Sequence, residues 1–157
     1  MTVPELKPYG LETMRREEID TFLDSQSVGV LGLIDGPVPY LLPLSYGYDG
    51  ESLYFTYLLG DESRKERLTD HSERASFLVY SAETRFNWRS VLLEGEFRKI
   101  PPHRWGDLGE VLEGAWRPEL FQIASPSRNV KIYALDVDEV TGIKHTGLAA
   151  EMESRDQ

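Results

Sequence analysis

Two turn signals constrain this chain more tightly than any other feature. Asp35-Gly36-Pro37 parts the apolar run 27–34 from the run 38–48, and Asp49-Gly50 parts 38–48 from the run 53–58. Aspartate followed by glycine between apolar runs marks a tight hairpin. Three consecutive antiparallel strands are therefore expected. In the first, Gly29 and Gly32 allow close packing or a bend. In the second, Pro39 and Pro43 withhold two ladder donors, which suits an edge, bulged or bent strand. The second hairpin pairs Pro43-Leu44-Ser45-Tyr46 with the strand 53–58, so Ser45 and Tyr46 either border one cavity with Tyr54 and Tyr57 or pack across the strands.

The third strand then changes period. Residues 51–68 read Glu-Ser-Leu-Tyr-Phe-Thr-Tyr-Leu-Leu-Gly-Asp-Glu-Ser-Arg-Lys-Glu-Arg-Leu. The first half is aromatic and aliphatic around Thr56, as in a buried strand. After Gly60, Asp61 and Ser63 are capping residues for a helix that carries Arg64, Lys65 and Arg67 and begins its apolar face at Leu68. A helix start with free N–H groups beside two or three cations is an anion site. The plainer reading is a solvated helix face whose cations pair with Glu62, Glu66, Asp70 or Glu73.

Elsewhere the signals are those of strands and short helices. Residues 1–12 form an extended lead-in with Pro4, Pro8 and Gly10. A helix opens at Thr13 or Met14 and runs through Ser25, with Ile19, Phe22 and Leu23 on one face and Glu17, Glu18, Asp20 and Asp24 opposite. Residues 75–80 are a fourth strand, 81–87 a polar loop, and 88–100 a fifth strand with a bulge or bend at Gly95. Pro101-Pro102 starts a helix with a Trp105, Leu108, Val111, Leu112 stripe. Residues 118–124 are a shorter helix, 125–129 a loop, and 130–137 a sixth strand that ends in 138–142. Residues 148–157 are a flexible acidic tail. The fold class is mainly β, a six-stranded antiparallel barrel with peripheral helices in one domain over 1–157.

Composition narrows the chemistry. With no cysteine there is no disulfide framework, thiolate nucleophile or cysteine-ligated metal centre. His71, His103 and His145 have no metal-ligand spacing. The formal net charge of −10 opposes a nucleic-acid partner. No apolar stretch reaches membrane-spanning length, so a cytoplasmic protein is expected. Seventeen Glu and ten Asp beside twelve Arg and five Lys fit either a halophilic protein or an ordinary acidic one. No Rossmann glycine fingerprint, Walker loop or nucleophile elbow is present.

The string Leu-Tyr-Phe-Thr-Tyr-Leu-Leu-Gly-Asp-Glu-Ser-Arg-Lys-Glu-Arg-Leu resembles the FMN-phosphate segment of the pyridoxamine 5'-phosphate oxidase-like split-barrel family. Trp88-Arg89-Ser90-Val91 is similar to an element of its nitroimidazole-resistance branch, and Pro43-Leu44-Ser45-Tyr46 to the strand along the isoalloxazine ring. The resemblance spans 19–142 and implies an FMN-binding split β-barrel, homodimeric with the cofactor site at the subunit interface. It implies cofactor contacts from Leu44, Ser45, Tyr46, Thr56, Tyr57, Gly60, Ser63, Arg64, Lys65, Trp88, Arg89 and Ser90, with Ser63, Arg64 and Lys65 on the phosphate. Arg89 has a structural alternative, pairing with Glu94 or stacking on Trp88. The activity implied is transfer of electrons or hydride from a reduced nicotinamide to a small nitro or quinone-like acceptor, while a flavin or haem carrier without turnover is the alternative. Oxidation of a B6 vitamer is disfavoured, because the substrate-phosphate basic residues are not identifiable and Pro43-Leu44-Ser45-Tyr46 stands where a further arginine strand is expected.

Overall fold

In a computed structural model of the chain, residues 3–58, 64–113 and 130–147 are described. The described residues form eight strands: β1 (Leu11–Thr13), β2 (Val28–Asp35), β3 (Val38–Ser45), β4 (Gly47–Tyr48), β5 (Ser52–Leu58), β6 (Arg74–Thr84), β7 (Asn87–Ile100) and β8 (Val130–Thr146). The helices are α1 (Arg16–Ser25), α2 (Arg64–Asp70) and α3 (Gly109–Glu113), with 3-10 turns over Val3–Tyr9 and Pro102–Leu108. All pairings are antiparallel, in the order β3-β2-β6-β7-β8-β5-β4, with β1 added to β8. The lead-in is thus helical for seven residues and then a strand, where an extended segment was expected.

The run 38–48 behaves differently from the single strand read in the sequence. Among the described residues its first part, β3, pairs only with β2, Ser45 lying opposite Val28 and Pro43 opposite Val30. Pairing with β5 is confined to Gly47 and Tyr48, which lie opposite Tyr54 and Leu53. Ser45 and Tyr46 therefore do not lie across from 54–57. The reason is a turn of the chain at Tyr46, whose amide donates to the Ser27 carbonyl (3.1 Å) and whose buried hydroxyl donates to the Leu23 carbonyl at 2.6 Å. Since β3 and β4 are the two ends of the sheet, this one residue joins them and closes the barrel. The two prolines sit on the edge strand, where a missing N–H leaves no ladder acceptor unmet.

Two expected boundaries move outward. β6 continues through Thr84 because its polar end pairs with β7, Ser81 opposite Arg89 and Ala82 opposite Trp88. Polarity there marks solvent exposure, and the backbone bonds still favour the ladder. β8 extends past Gly142 to Thr146, pairing with β7 and β1. Gly142 is a contact residue in mid-strand: a Cβ there would stand 2.9 Å from Ile19 Cγ1 and Met14 Cβ, so α1 lies directly on it. The bulge expected at Gly95 is present as a register shift between Glu94 and Gly95.

Alternation divides the apolar residues between two clusters. Leu31, Leu53, Phe55, Phe77, Val91 and Leu93 fill the barrel and are fully buried, with Ile19, Phe22 and Leu23 of α1 closing one end. On the other face of β5 and β8, Tyr54, Ile132 and Ala134 are covered by Trp105, Leu108 and Leu112. Residues 132–135 of β8 are thus buried on both faces. The outer face of β3-β2-β6-β7 is the exception. Leu41 (63%), Tyr80 (58%), Val28 (48%) and Leu92 (39%) are exposed there.

Candidate anion-binding site

The cations Arg64 and Lys65 open α2 at the end of the barrel where β2 turns into β3. α2 is anchored by its far end. Thr69 Oγ1 donates to the Lys65 carbonyl at 2.6 Å, so its oxygen accepts the proton of the Tyr57 hydroxyl at 2.9 Å. The Tyr133 hydroxyl donates to Asp70 (3.0 Å), and Lys131 pairs with Glu66. The Tyr57 and Tyr133 rings lie 4.6 Å apart under the helix, and burial pushes both phenols above their ordinary range.

The two cations are treated differently by their surroundings. Arg64 Nε donates to Asp35 Oδ2 at 3.0 Å with a second guanidinium bond to the same oxygen, and its plane lies 4.3 Å from the Tyr40 ring centroid. Lys65 is half-buried, its ammonium 5.2 Å from the Tyr57 ring centroid, and among the described residues it makes no ion pair. Burial without a counter-charge holds its pKa below 10.5. A desolvated ammonium beside a guanidinium is a place where an anion gains from both. Among the described residues Arg64 reaches back to Asp35, Glu66 pairs with Lys131 and Asp70 accepts from Tyr133, while Glu62 lies outside the described residues.

The other residues singled out by sequence are dispersed. Gly60 and Ser63 lie outside the described residues, as do 118–129 and the tail. Tyr57 joins the cations, whereas Thr56 is half-buried on the opposite face of β5, paired with Ile132. Leu44 packs against the barrel core and Tyr46 is part of it, its ring edge-on to Phe77 at 5.5 Å. Trp88 and Ser90 alternate with Arg89, so they cannot share its face. Trp88 lies 6.1 Å from the His145 ring and Ser90 opposite Tyr80, while Arg89 lines a cavity of about 490 Å3 between α1 and β6–β7, with Glu17, Glu83 and Phe22. Register puts this group at the far end of the sheet from Asp35, about 25 Å away at roughly 3.3 Å per strand residue. The cation corner and the Trp88–Ser90 group are separate within one chain.

Sequence reading missed Asp35, Tyr40, Thr69 and Tyr133 at this corner. Thr69 had a signal, since residues four apart share a helix face. Asp35 reads only as a turn residue, and nothing in its surroundings couples it to a position 29 residues on.

An antiparallel barrel with peripheral helices and a basic corner beside aromatic strand residues defines the class, a split barrel with a candidate anion site. Residues 15–144 match the profile of the pyridoxamine 5'-phosphate oxidase family, and the chain belongs to that family. Similar solved structures include an FAD and haem binding protein of Mycobacterium smegmatis, at 20% identity and TM-score 0.69 over 94% of this chain and 80% of that one. An FAD-binding protein of Mesorhizobium loti matches at 21% identity and TM-score 0.63, over 85% and 96% of the two chains. A protein provisionally assigned to 5-nitroimidazole antibiotic resistance in Bacteroides thetaiotaomicron matches at 20% and 0.63, over 86% and 89%. At these identities the likeness concerns the fold.

Proposed function

We propose that the chain is a flavin-binding protein that takes FMN, with Lys65 and Arg64 holding the terminal phosphate. The observation that carries this reading is the half-buried Lys65 ammonium without a carboxylate among the described residues, in a chain of this family. The two proteins above described as FAD-binding support a flavin in general. When bound, the flavin supplies electron or hydride transfer. Tyr57 and the α2 anchor hold Lys65 in place. The proposed reaction passes electrons from a reduced nicotinamide to a small nitro or quinone-like acceptor.

The proposal includes a homodimer with the cofactor site at the subunit interface. Two observations support it. The sheet face bearing Val28, Leu41, Tyr80 and Leu92 is apolar and exposed, and the expected cofactor residues of one chain lie at opposite ends of that sheet. In the proposed dimer a second copy laid antiparallel across this face would bring its Trp88–Ser90 end toward the first copy's cation corner.

The test is the visible spectrum of protein reconstituted with FMN, and separately with FAD, after free flavin is removed. Retained flavin bands that disappear in the folded Arg64→Ala/Lys65→Ala double variant support the phosphate assignment. Equal retention by both proteins sinks it, and a Soret band in the purified protein transfers the site to haem.

A further inference from the structure

The proposed phosphate site already contains an anion of its own. Asp35 is the last residue of β2 and lies opposite Val38, held in a two-residue turn in which Gly36 has φ +62°. Its backbone is therefore set by a hairpin, and its carboxylate receives both the Nε and an Nη donor of Arg64 on one oxygen. The side chain is 29% exposed. Tyr40, five residues on, covers the guanidinium plane. Arg64 is thus occupied along one edge and on one face, whereas Lys65, its neighbour, has no carboxylate among the described residues.

We propose that Asp35 is a built-in competitor for the anion site, a hairpin carboxylate that holds Arg64 and sets a low affinity for the terminal phosphate of the bound flavin. The inference rests on the assignment of that phosphate to Arg64 and Lys65. An incoming phosphate dianion shares the guanidinium with the Asp35 carboxylate or displaces it, and in either case like charges meet at one cation. Lys65 takes the phosphate first, and Arg64 contributes only as far as Asp35 yields it. A pair that served the fold alone would behave differently, since its loss would loosen α2 and weaken binding.

The experiment compares dissociation constants for FMN and riboflavin, read by quenching of flavin fluorescence, in the wild type, Asp35→Asn, Arg64→Ala, Lys65→Ala and the Asp35→Asn/Arg64→Ala pair. Asp35→Asn keeps the shape and an acceptor oxygen while removing the charge, and Asp35→Ser serves if the amide variant melts early. FMN affinity is expected to rise about threefold to tenfold in Asp35→Asn at low salt. The gain should shrink at 1 M salt, where the screening length is about 3 Å. In the Arg64→Ala background only direct repulsion by Asp35 is left to relieve, so the gain there should differ from that in the wild type, and it should be absent for riboflavin, which has no phosphate. Unchanged or weaker FMN binding in Asp35→Asn, or an equal gain for riboflavin, overturns the proposal. If FMN binds the wild type, Arg64→Ala and Lys65→Ala weaken it, and Asp35→Asn does not tighten it, this inference falls while the phosphate assignment stands. If no variant binds FMN, both fall.

Discussion

Lys65 illustrates how one side chain can carry a functional reading that its sequence neighbours do not. Its burial lowers its pKa from 10.5, so between the lowered value and 10.5 the unfolded chain binds more protons than the folded one. The unliganded protein consequently gains stability from this group as pH rises through that interval. Binding runs the other way, because a phosphate needs the ammonium charged. FMN affinity is expected to fall as pH rises through the lowered value, and a Lys65→Arg variant, whose guanidinium stays charged, should keep its affinity over the same range. Parallel fluorescence titrations from pH 7 to 10 check this, and identical pH profiles for the two proteins would remove Lys65 from the site. The Arg64–Lys65 pair was legible from the change of period after Gly60. What was not legible was which cation is already neutralised, because Asp35 lies on a different hairpin and contributes only through the tertiary fold.

Among the elements, α1 shows how charge and packing fix a helix together. Ile19, Phe22 and Leu23 close the barrel end, as the spacing of apolar residues indicated, and Gly142 admits the helix to the sheet. Glu18, on the face read as solvent, receives Lys144 at 2.6 Å and Arg15 at 3.1 Å, and these bonds hold its carboxyl at about 2 instead of 4.5. A depressed carboxyl stabilises the fold above its unfolded pKa and loses that contribution as pH falls from 4.5 toward 2. The pair is partly exposed, so screening limits it to about 1 kcal/mol. Denaturant midpoints at pH 7 and pH 3 should therefore differ less in Glu18→Gln than in the wild type. No change in the difference would show that Lys144 spends its charge elsewhere. The β7–β8 ladder was legible only in part: the Gly95 bulge was read correctly, but Gly142 was read as an ending when it marks a close approach. Sequence alone does not separate those two uses of glycine.

At the scale of the whole molecule, the exposed apolar sheet face is where the proposed dimer would form. Leu41 and Leu92 stand on the same outer face as Val30 and Leu78, which pair across β2 and β6. Placing a carboxylate there costs the monomer little, since both side chains already meet solvent, but it would bury two like charges in an isologous contact. Leu41→Glu/Leu92→Glu is expected to sediment as a folded monomer with a cooperative thermal transition, lowered by the stabilisation that association no longer lends, and with weaker FMN retention. Wild-type protein that sediments as a monomer at micromolar concentration would end the dimer reading. The turn at Tyr46 has a separate consequence. The rolled sheet is closed by a corner of covalent chain and the hydroxyl–carbonyl bond from Tyr46 to Leu23, with β3 and β4 hydrogen-bonded on opposite sides of that corner. Such a cylinder has a seam, and its first breathing motion is to unroll there. Amides of β3 and β4 should exchange with deuterium ahead of those of β7, and Tyr46→Phe, which frees the corner from α1, should widen that gap. Uniform exchange around the barrel would mean that the closure is as strong as the ladders it joins.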